Sequence, residues 1–190
     1  MTRTVGIVLA GGLSRRFGSP KAFAKVGNRC FYEITIEALE AHCDKVIIVT
    51  RQELLKCFPE RINAITDIMD YTGLGPLAGI LSAMESVEAD RYIVLPCDMP
   101  YVDEAVVGKL LAQHEQGVTA VVVDERQHPL VSVWDCSVKD NLQDALDNGQ
   151  LRVIPVLASS DVSWIDGSLL ADDEQRVFTN VNTPGVLEGS

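Results

Sequence analysis

The stretch Val5-Gly-Ile-Val-Leu-Ala-Gly-Gly12 decides the fold, because a strand-sized apolar run ends there directly in two glycines. An apolar run without polar alternation is typical of a strand that is buried on both faces of a parallel sheet. Similar runs alternate with helical patterns along the chain. Predicted strands cover 5–9, 46–50, 62–66, 92–95, 118–123, 130–134 and 177–181, and predicted helices cover 30–42, 75–87, 103–116, 137–147, 151–158 and a short segment from about Pro184. We therefore predict an α/β fold, a single Rossmann-like domain whose mainly parallel sheet carries helices on both faces.

Composition narrows the class of protein. The 190 residues are 47% hydrophobic and 23% charged, which is typical of one soluble domain. No apolar run approaches the length of a membrane helix, and the N-terminus lacks the pattern of a secretory signal, so we expect a cytoplasmic protein without a membrane partner. The net charge of −11 disfavours nucleic acid as a partner. We also expect a monomer, and the five scattered cysteines form no zinc-binding pattern.

The loop from Leu9 to Lys21 follows the first strand and is the first candidate site. Gly11 and Gly12 allow a phosphate chain to approach the backbone N–H groups, and Arg15, Arg16 and Lys21 supply positive charge beside them. The spacing matches neither the P-loop nor the dinucleotide-binding fingerprint, which excludes both of those classes. A glycine-rich turn with solvated basic side chains is the alternative interpretation of the loop by itself.

Three further segments carry candidate ligands. Asp98 comes directly after an apolar strand, where one carboxylate together with phosphate oxygens is suited to hold Mg²⁺. Asp67 precedes a glycine-rich turn, and the carboxyl ends of parallel strands are where ligands bind. Asn180 and Asn182 are on the same side of an extended segment. Each of these residues, taken alone, is also explained as an ordinary turn former.

Five blocks occur in order and together give a specific resemblance. They are Leu-Ala-Gly-Gly-x-Ser-x-Arg-Phe-Gly-x-x-Lys (9–21), Gly-Pro-Leu-Ala-Gly (75–79), Pro-Cys-Asp-Met-Pro (96–100), His-Pro-Leu (128–130) and Asn-Val-Asn-Thr-Pro (180–184). This set resembles the MobA family of molybdenum cofactor guanylyltransferases and spans nearly the whole chain. The resemblance implies GMP transfer from GTP to molybdenum-molybdopterin with release of pyrophosphate, with the nucleotide side mainly in 1–101 and the pterin side mainly in 102–190.

The resemblance also implies roles for particular residues. Lys21, Arg16 and Asp98 would be catalytic, and Asp98 would be the ligand of a Mg²⁺ cofactor. The predicted binding residues are Leu9, Ala10, Gly11, Gly12, Lys21, Val49, Asp67, Asp98, Asn180 and Asn182. The attacking phosphate is already an anion, so the reaction requires alignment and charge neutralisation rather than a strong base.

The roles of four further residues, and several alternative functions, are not decided by the sequence. His128 is a candidate substrate contact, Arg152 a candidate for the pterin phosphate, and Trp134 and Trp164 are candidates for stacking on a pterin, although structural roles explain each of them as well. The alternatives are cytidylyl transfer, transfer to a sugar phosphate, and a non-catalytic carrier of the finished cofactor. Cytidylyl relatives typically have Leu-Ala-Ala-Gly in the first loop, so Gly11-Gly12 favours guanine. Transient docking to molybdenum-cofactor proteins is a further expected partnership.

Overall fold

A seven-stranded mixed sheet organises the computed structural model, which describes residues 2–12 and 17–182. The strands are β1 (Thr4–Leu9), β2 (Lys25–Val26), β3 (Arg29–Cys30), β4 (Lys45–Val49), β5 (Ala64–Ile65), β6 (Arg91–Pro96), β7 (Val118–Val123), β8 (Arg126–Asp135) and β9 (Val162–Asp166). The helices are α1 (Phe31–Glu40), α2 (Pro76–Ser86), α3 (Glu104–Ala112), α4 (Lys139–Asp147), α5 (Val153–Ala158) and α6 (Glu174–Val177). The strand order is β5-β4-β1-β6-β8-β7-β9, and β2 and β3 form a separate hairpin.

Strand direction decides what meets at the edge of the sheet. β5, β4, β1 and β6 are parallel, and β7 is parallel to β9, which confirms the prediction of a mainly parallel sheet. β8 runs antiparallel to both β6 and β7, with Val94 opposite Ser132. Because β8 is reversed, its first residues lie at the edge where β1 and β6 end.

Two apolar clusters cover the two faces of the sheet, as predicted. One cluster includes buried residues of α1 and α3, and the other includes buried residues of α2, α4 and α5. Trp134 on β8 is fully buried in the second cluster, and its indole Nε1 donates a hydrogen bond to Ser132 Oγ at 2.8 Å. None of the described helices is long and apolar enough to span a membrane.

The last predicted strand, 177–181, is wrong. Its first residue closes the short helix α6, and Phe178 and Val181 then fill the core from a segment without strand pairing. Val181 N instead donates a hydrogen bond to the backbone oxygen of Asp98 at 2.8 Å. The strand at this end of the sheet is β9, which we did not predict, because an edge strand with exposed polar residues lacks a continuous apolar run. The helix predicted from Pro184 lies outside the described residues.

Several other boundaries differ from the prediction. The third strand shortens to β5, two residues long, and the hairpin of β2 and β3 was not predicted. The strand at 130–134 extends in both directions as β8, whereas the helix predicted at 103–116 ends at Ala112.

The Gly-Pro-Leu-Ala-Gly block is explained by the way α2 meets the sheet. Gly75 has φ +89° and ψ −162°, a conformation that is open essentially only to glycine, and Pro76 follows it at the first helical position. At Gly79 the helix lies so close to the sheet that a Cβ atom would be 3.1 Å from Leu9 Cδ2 and 3.4 Å from Val49 Cγ1. Two glycines of this block are therefore required by the backbone turn and by helix–sheet packing.

Replacing Gly79 by valine is expected to lower the free energy of unfolding by about 1–3 kcal/mol, because the added atoms overpack the contact with Leu9 and Val49. Urea denaturation measures this change. Glu40→Val is the control, since it places the same side chain on the exposed last residue of α1, where Glu40 forms no side-chain hydrogen bond or ion pair with the described residues, and it should change stability by about 0.5 kcal/mol or less. Equal stability of the two variants would show that α2 has room at Gly79.

Candidate active site

A cavity of about 990 Å³ lies at the edge of the sheet where β1, β4 and β6 end. This is the edge at which open α/β sheets bind ligands, and a cavity of this size holds a nucleotide-sized ligand. Most of the predicted site residues line it. They are Leu9, Ala10, Gly11, Gly12, Lys21, Val49, Asp67, Asp98, His128 and Asn180.

Four of the predicted residues join in one hydrogen-bonded cluster. Lys21 Nζ donates to Asp98 Oδ2 at 2.9 Å and to Asn182 Oδ1 at 2.7 Å. Asn180 Nδ2 donates to the other carboxylate oxygen, Asp98 Oδ1, at 3.0 Å. The Lys21 and Asp98 side chains are only 15% and 19% exposed, so this ion pair is screened less than a surface pair. The cluster unites the first loop, the end of β6 and the segment after α6.

The first loop is held at Ala10, directly before its glycine pair, by two hydrogen bonds to the end of β4 and the residue after it. Ala10 N donates to Val49 O at 2.8 Å, and Thr50 Oγ1 donates to Ala10 O at 3.3 Å. A Cβ atom on Gly12 would meet no described atom within 4 Å, and one on Gly11 would meet only ordinary contacts at 3.9 Å or more. Packing among the described residues therefore does not require these glycines, and the space that they leave belongs to the cavity.

Asp67 lines the cavity from the side of β5. Its Oδ2 accepts a hydrogen bond from Gly73 N at 3.0 Å, which holds the second glycine-rich turn against the carboxylate. Partial burial raises the pKa of Asp67, and the hydrogen bond from Gly73 opposes that rise. A carboxylate in such surroundings gains from a polar ligand that donates a further hydrogen bond.

His128 is the histidine that lies in the cavity wall. It is 5% exposed and its ring centroid is 5.9 Å from that of Phe178. Burial, with a smaller contribution from the neighbouring Arg126 charge, lowers the pKa of His128 below its ordinary value of 6.5. The ring is therefore neutral at pH 7, where it can form a hydrogen bond but adds no positive charge.

Other predicted residues lie elsewhere. Arg152, at the N-cap of α5, is exposed and does not belong to the described wall of the cavity. Trp134, which packs in the core, and the half-buried Trp164 on β9 are also absent from the described wall of the cavity. Stacking of either ring on a ligand of this cavity is therefore not supported. Arg15 and Arg16 lie outside the described residues.

Cys97 precedes Asp98 in the cavity wall. Burial raises the pKa of its thiol to about 12, with the Asp98 charge adding to that rise. A thiol with such a pKa is protonated at pH 7, and a protonated thiol is a poor nucleophile. The cysteine therefore serves packing, as a buried thiol commonly does.

Sequence reasoning missed several residues of the wall. Thr50, Arg51 and Glu53 follow β4, and Arg51 Nη1 donates to Glu53 Oε1 at 2.5 Å. Arg126 and Gln127 open β8 on the opposite side of the cavity. The missed signal was the arginine two positions before His128. A search restricted to the carboxyl ends of strands does not find Arg126, because β8 is antiparallel to β6 and therefore brings its amino end to the cavity.

The fold and the site together are those of a nucleotidyltransferase. The sheet is mainly parallel, a glycine-rich loop follows its first strand, and a lysine is paired with a single carboxylate in a nucleotide-sized cavity. The profile of the MobA-like NTP transferase domain matches residues 6–161. The chain belongs to that family, and it is an enzyme of the nucleotidyltransferase class.

Individual relatives agree with this assignment along the whole chain. A protein of a Geobacillus species, named "Probable molybdenum cofactor guanylyltransferase", is 38% identical over 99% of this chain and 98% of its own length. A Bacillus cereus protein of the same name is 34% identical over 96% of this chain and 93% of its own length. The crystal structure of molybdopterin-guanine dinucleotide biosynthesis protein A from Archaeoglobus fulgidus is 25% identical, with a TM-score of 0.80 over 97% of this chain and 95% of that one.

Proposed function

We propose that the protein transfers GMP from GTP to molybdenum-molybdopterin, which yields the guanine dinucleotide form of the cofactor and pyrophosphate. The cluster of Lys21, Asp98 and Asn180 in the cavity wall carries the proposal, because it places a cation beside a lone carboxylate at the end of β6. The substrates follow from the names of relatives that are 34–38% identical over nearly the whole chain.

The donor set fits Mg²⁺ as the metal. A metal site built from protein ligands alone needs a group of three or more histidine, cysteine or acidic side chains. The described residues contain no such group. Mg²⁺ typically binds through one or two carboxylates together with substrate phosphates and water, and Asp98 supplies one such carboxylate. Bound there, the metal would neutralise charge on the triphosphate and on the departing pyrophosphate.

Lys21 has two roles in the proposed reaction. Without nucleotide, its ammonium group is held by Asp98 and Asn182, which keeps the cation in the cavity wall and offsets the Asp98 charge. When GTP binds, we expect Lys21 to turn toward the triphosphate, because an anion with several charges competes well for a mobile point charge. That movement would leave Asp98 Oδ2 available to hold the metal, with Oδ1 still accepting the hydrogen bond from Asn180.

The transfer itself is a displacement at the α-phosphorus of GTP. An oxygen of the terminal phosphate of molybdopterin forms the new O–P bond, and the bond from the α-phosphorus to the bridging oxygen of the β-phosphate breaks, so pyrophosphate leaves. The attacking oxygen carries no proton that must be removed, which agrees with a cavity wall whose histidine is neutral and whose cysteine is protonated. The residues contribute positioning and charge compensation.

Pyrophosphate release with each of the four nucleoside triphosphates, Mg²⁺ and molybdenum-molybdopterin tests the function. We expect release with GTP that depends on both the metal and the pterin. Preference for CTP would favour cytidylyl transfer. Release with GTP and a sugar phosphate, but none with the pterin, would assign a different acceptor. Binding of finished cofactor without release from any triphosphate would identify a carrier. A monomeric state, a cytoplasmic location and docking to molybdenum-cofactor proteins remain part of the proposal.

A further inference from the structure

The start of β8 borders two cavities. Arg126 and His128 line both the main cavity and a second one of about 210 Å³, whose wall includes Gln175 and Phe178. Arg126 therefore borders both the main cavity, which Lys21 and Asp98 also line, and the smaller cavity beside α6.

Arg126 is a cation in the wall of the main cavity that pairs with no acidic side chain among the described residues. Lys21 is paired with Asp98, and Arg51, across the cavity, is paired with Glu53. Within the ranges that the structure describes, Arg126 forms no ion pair, and its side chain is exposed where it lines the two cavities. In a protein with a net charge of −11, an unpaired guanidinium at a cavity is suited to an anionic ligand.

The β7–β8 turn fixes where the Arg126 backbone lies. Asp124 and Glu125 have φ angles of +45° and +64°, which non-glycine residues adopt rarely and at a cost of about 1–3 kcal/mol each. These angles suit the tight two-residue turn that pairs Val123 with Arg126 across the hairpin. Arg126 is thus the first residue of β8, held by the sheet and not by a long loop.

The strand order separates this side of the cavity from the nucleotide side. The predicted nucleotide residues Gly11, Val49 and Asp67 lie at or just after the ends of β1, β4 and β5, whereas Arg126 opens β8 beyond β6. Asp98, at the end of β6, stands between the two groups. His128 is neutral there, so it cannot replace the charge of Arg126. Of the basic residues considered for the acceptor, Arg152 is outside the described wall of the cavity.

We infer that Arg126 binds the phosphate of the acceptor substrate and aligns it for attack on the nucleotide. The inference rests on the proposed function. Arg126 acts by positioning, because its guanidinium forms paired hydrogen bonds to two phosphate oxygens and leaves the third free to attack.

Steady-state kinetics with GTP and molybdenum-molybdopterin varied separately test this role. For Arg126→Ala we expect the KM for the pterin to rise about ten- to hundredfold, which corresponds to the loss of a charge-assisted contact, while the KM for GTP stays within about twofold. Arg126→Lys should recover part of the affinity, since lysine keeps the positive charge but lacks the paired N–H donors of the guanidinium. Arg29→Ala, a change of the same type on the exposed β2–β3 hairpin, is the control.

The outcomes separate failure of the inference from failure of the function. If the wild-type protein releases no pyrophosphate from GTP, the proposed function is wrong. If the wild type is active and Arg126→Ala leaves the pterin KM unchanged, or raises the GTP KM equally, the assignment of Arg126 is wrong. A larger effect of Arg152→Ala would transfer the role to Arg152. Should the alanine variant unfold, Arg126→Lys decides between the two roles. A raised KM for the pterin with an unchanged KM for GTP supports phosphate binding by Arg126. Unchanged KM values for both substrates would contradict the inference.

Discussion

Replacing Asp98 by asparagine is expected to slow pyrophosphate release from GTP by about a thousandfold or more, because the variant keeps the shape of the side chain and loses its charge. The charge matters twice. It offsets the charge of the Lys21 ammonium, which lies 2.9 Å away. In the proposed reaction the same carboxylate would hold Mg²⁺. Asparagine also places an NH₂ group between two hydrogen-bond donors, Lys21 and Asn180, so one of the two bonds is lost.

Single-turnover measurement of pyrophosphate release gives the rate, and calorimetry in the presence of EDTA gives GTP affinity without metal. We expect GTP to bind the Asp98→Asn variant without metal. Asp103→Asn is the matched control, because Asp103 is exposed and caps α3 by accepting a hydrogen bond from Val106 N at 3.0 Å, a role that asparagine fills equally well. Full activity of the Asp98 variant would remove this carboxylate from the mechanism.

Replacing Lys21 by alanine is expected to lower kcat/KM for GTP by about a hundred- to thousandfold, the range seen when one group that stabilises transition-state charge is removed. The variant also leaves the Asp98 carboxylate, 19% exposed, without its cation. The repulsion between that carboxylate and the triphosphate should add to the loss of affinity. Initial rates at varied GTP and saturating pterin measure the effect.

Lys25→Ala is the control for Lys21, since Lys25 lies four residues further on, is exposed on β2, and does not belong to the described wall of the cavity. The control should keep kcat/KM within about twofold of the wild-type value, as expected of a solvated surface charge. Thermal unfolding of both variants checks that the fold is retained. An unchanged kcat/KM for GTP in Lys21→Ala would refute the role of this lysine.

Local patterns predicted most of the central sheet and much of the site. The apolar run 5–9 predicts β1 because it is buried on both faces, and the glycines after it predict the loop that lines the cavity. Asp98 was predicted by the same reasoning, as the polar residue directly after a buried strand. These features depend on neighbouring residues, so periodicity and composition reveal them.

Errors arose where partners distant in sequence decide the structure. Val162–Asp166 becomes β9 because β7 offers it a pairing edge, although its own pattern is weak. The segment 177–181 carries the stronger strand pattern, yet Phe178 and Val181 are used as core residues. Both cases show tertiary packing overriding local propensity.

The sequence by itself determined the alternation of strands and helices, the glycine-rich loop beside Lys21, and the ordered motifs of a nucleotidyltransferase family, because each depends on residues close together in the chain. Only the tertiary structure decided that Lys21 meets Asn182, 161 positions away, and that β8 runs in reverse. That reversal brings Arg126 into the cavity, while Arg152 stays outside its described wall. Strand order and direction are set by the burial of whole faces, which no local pattern encodes.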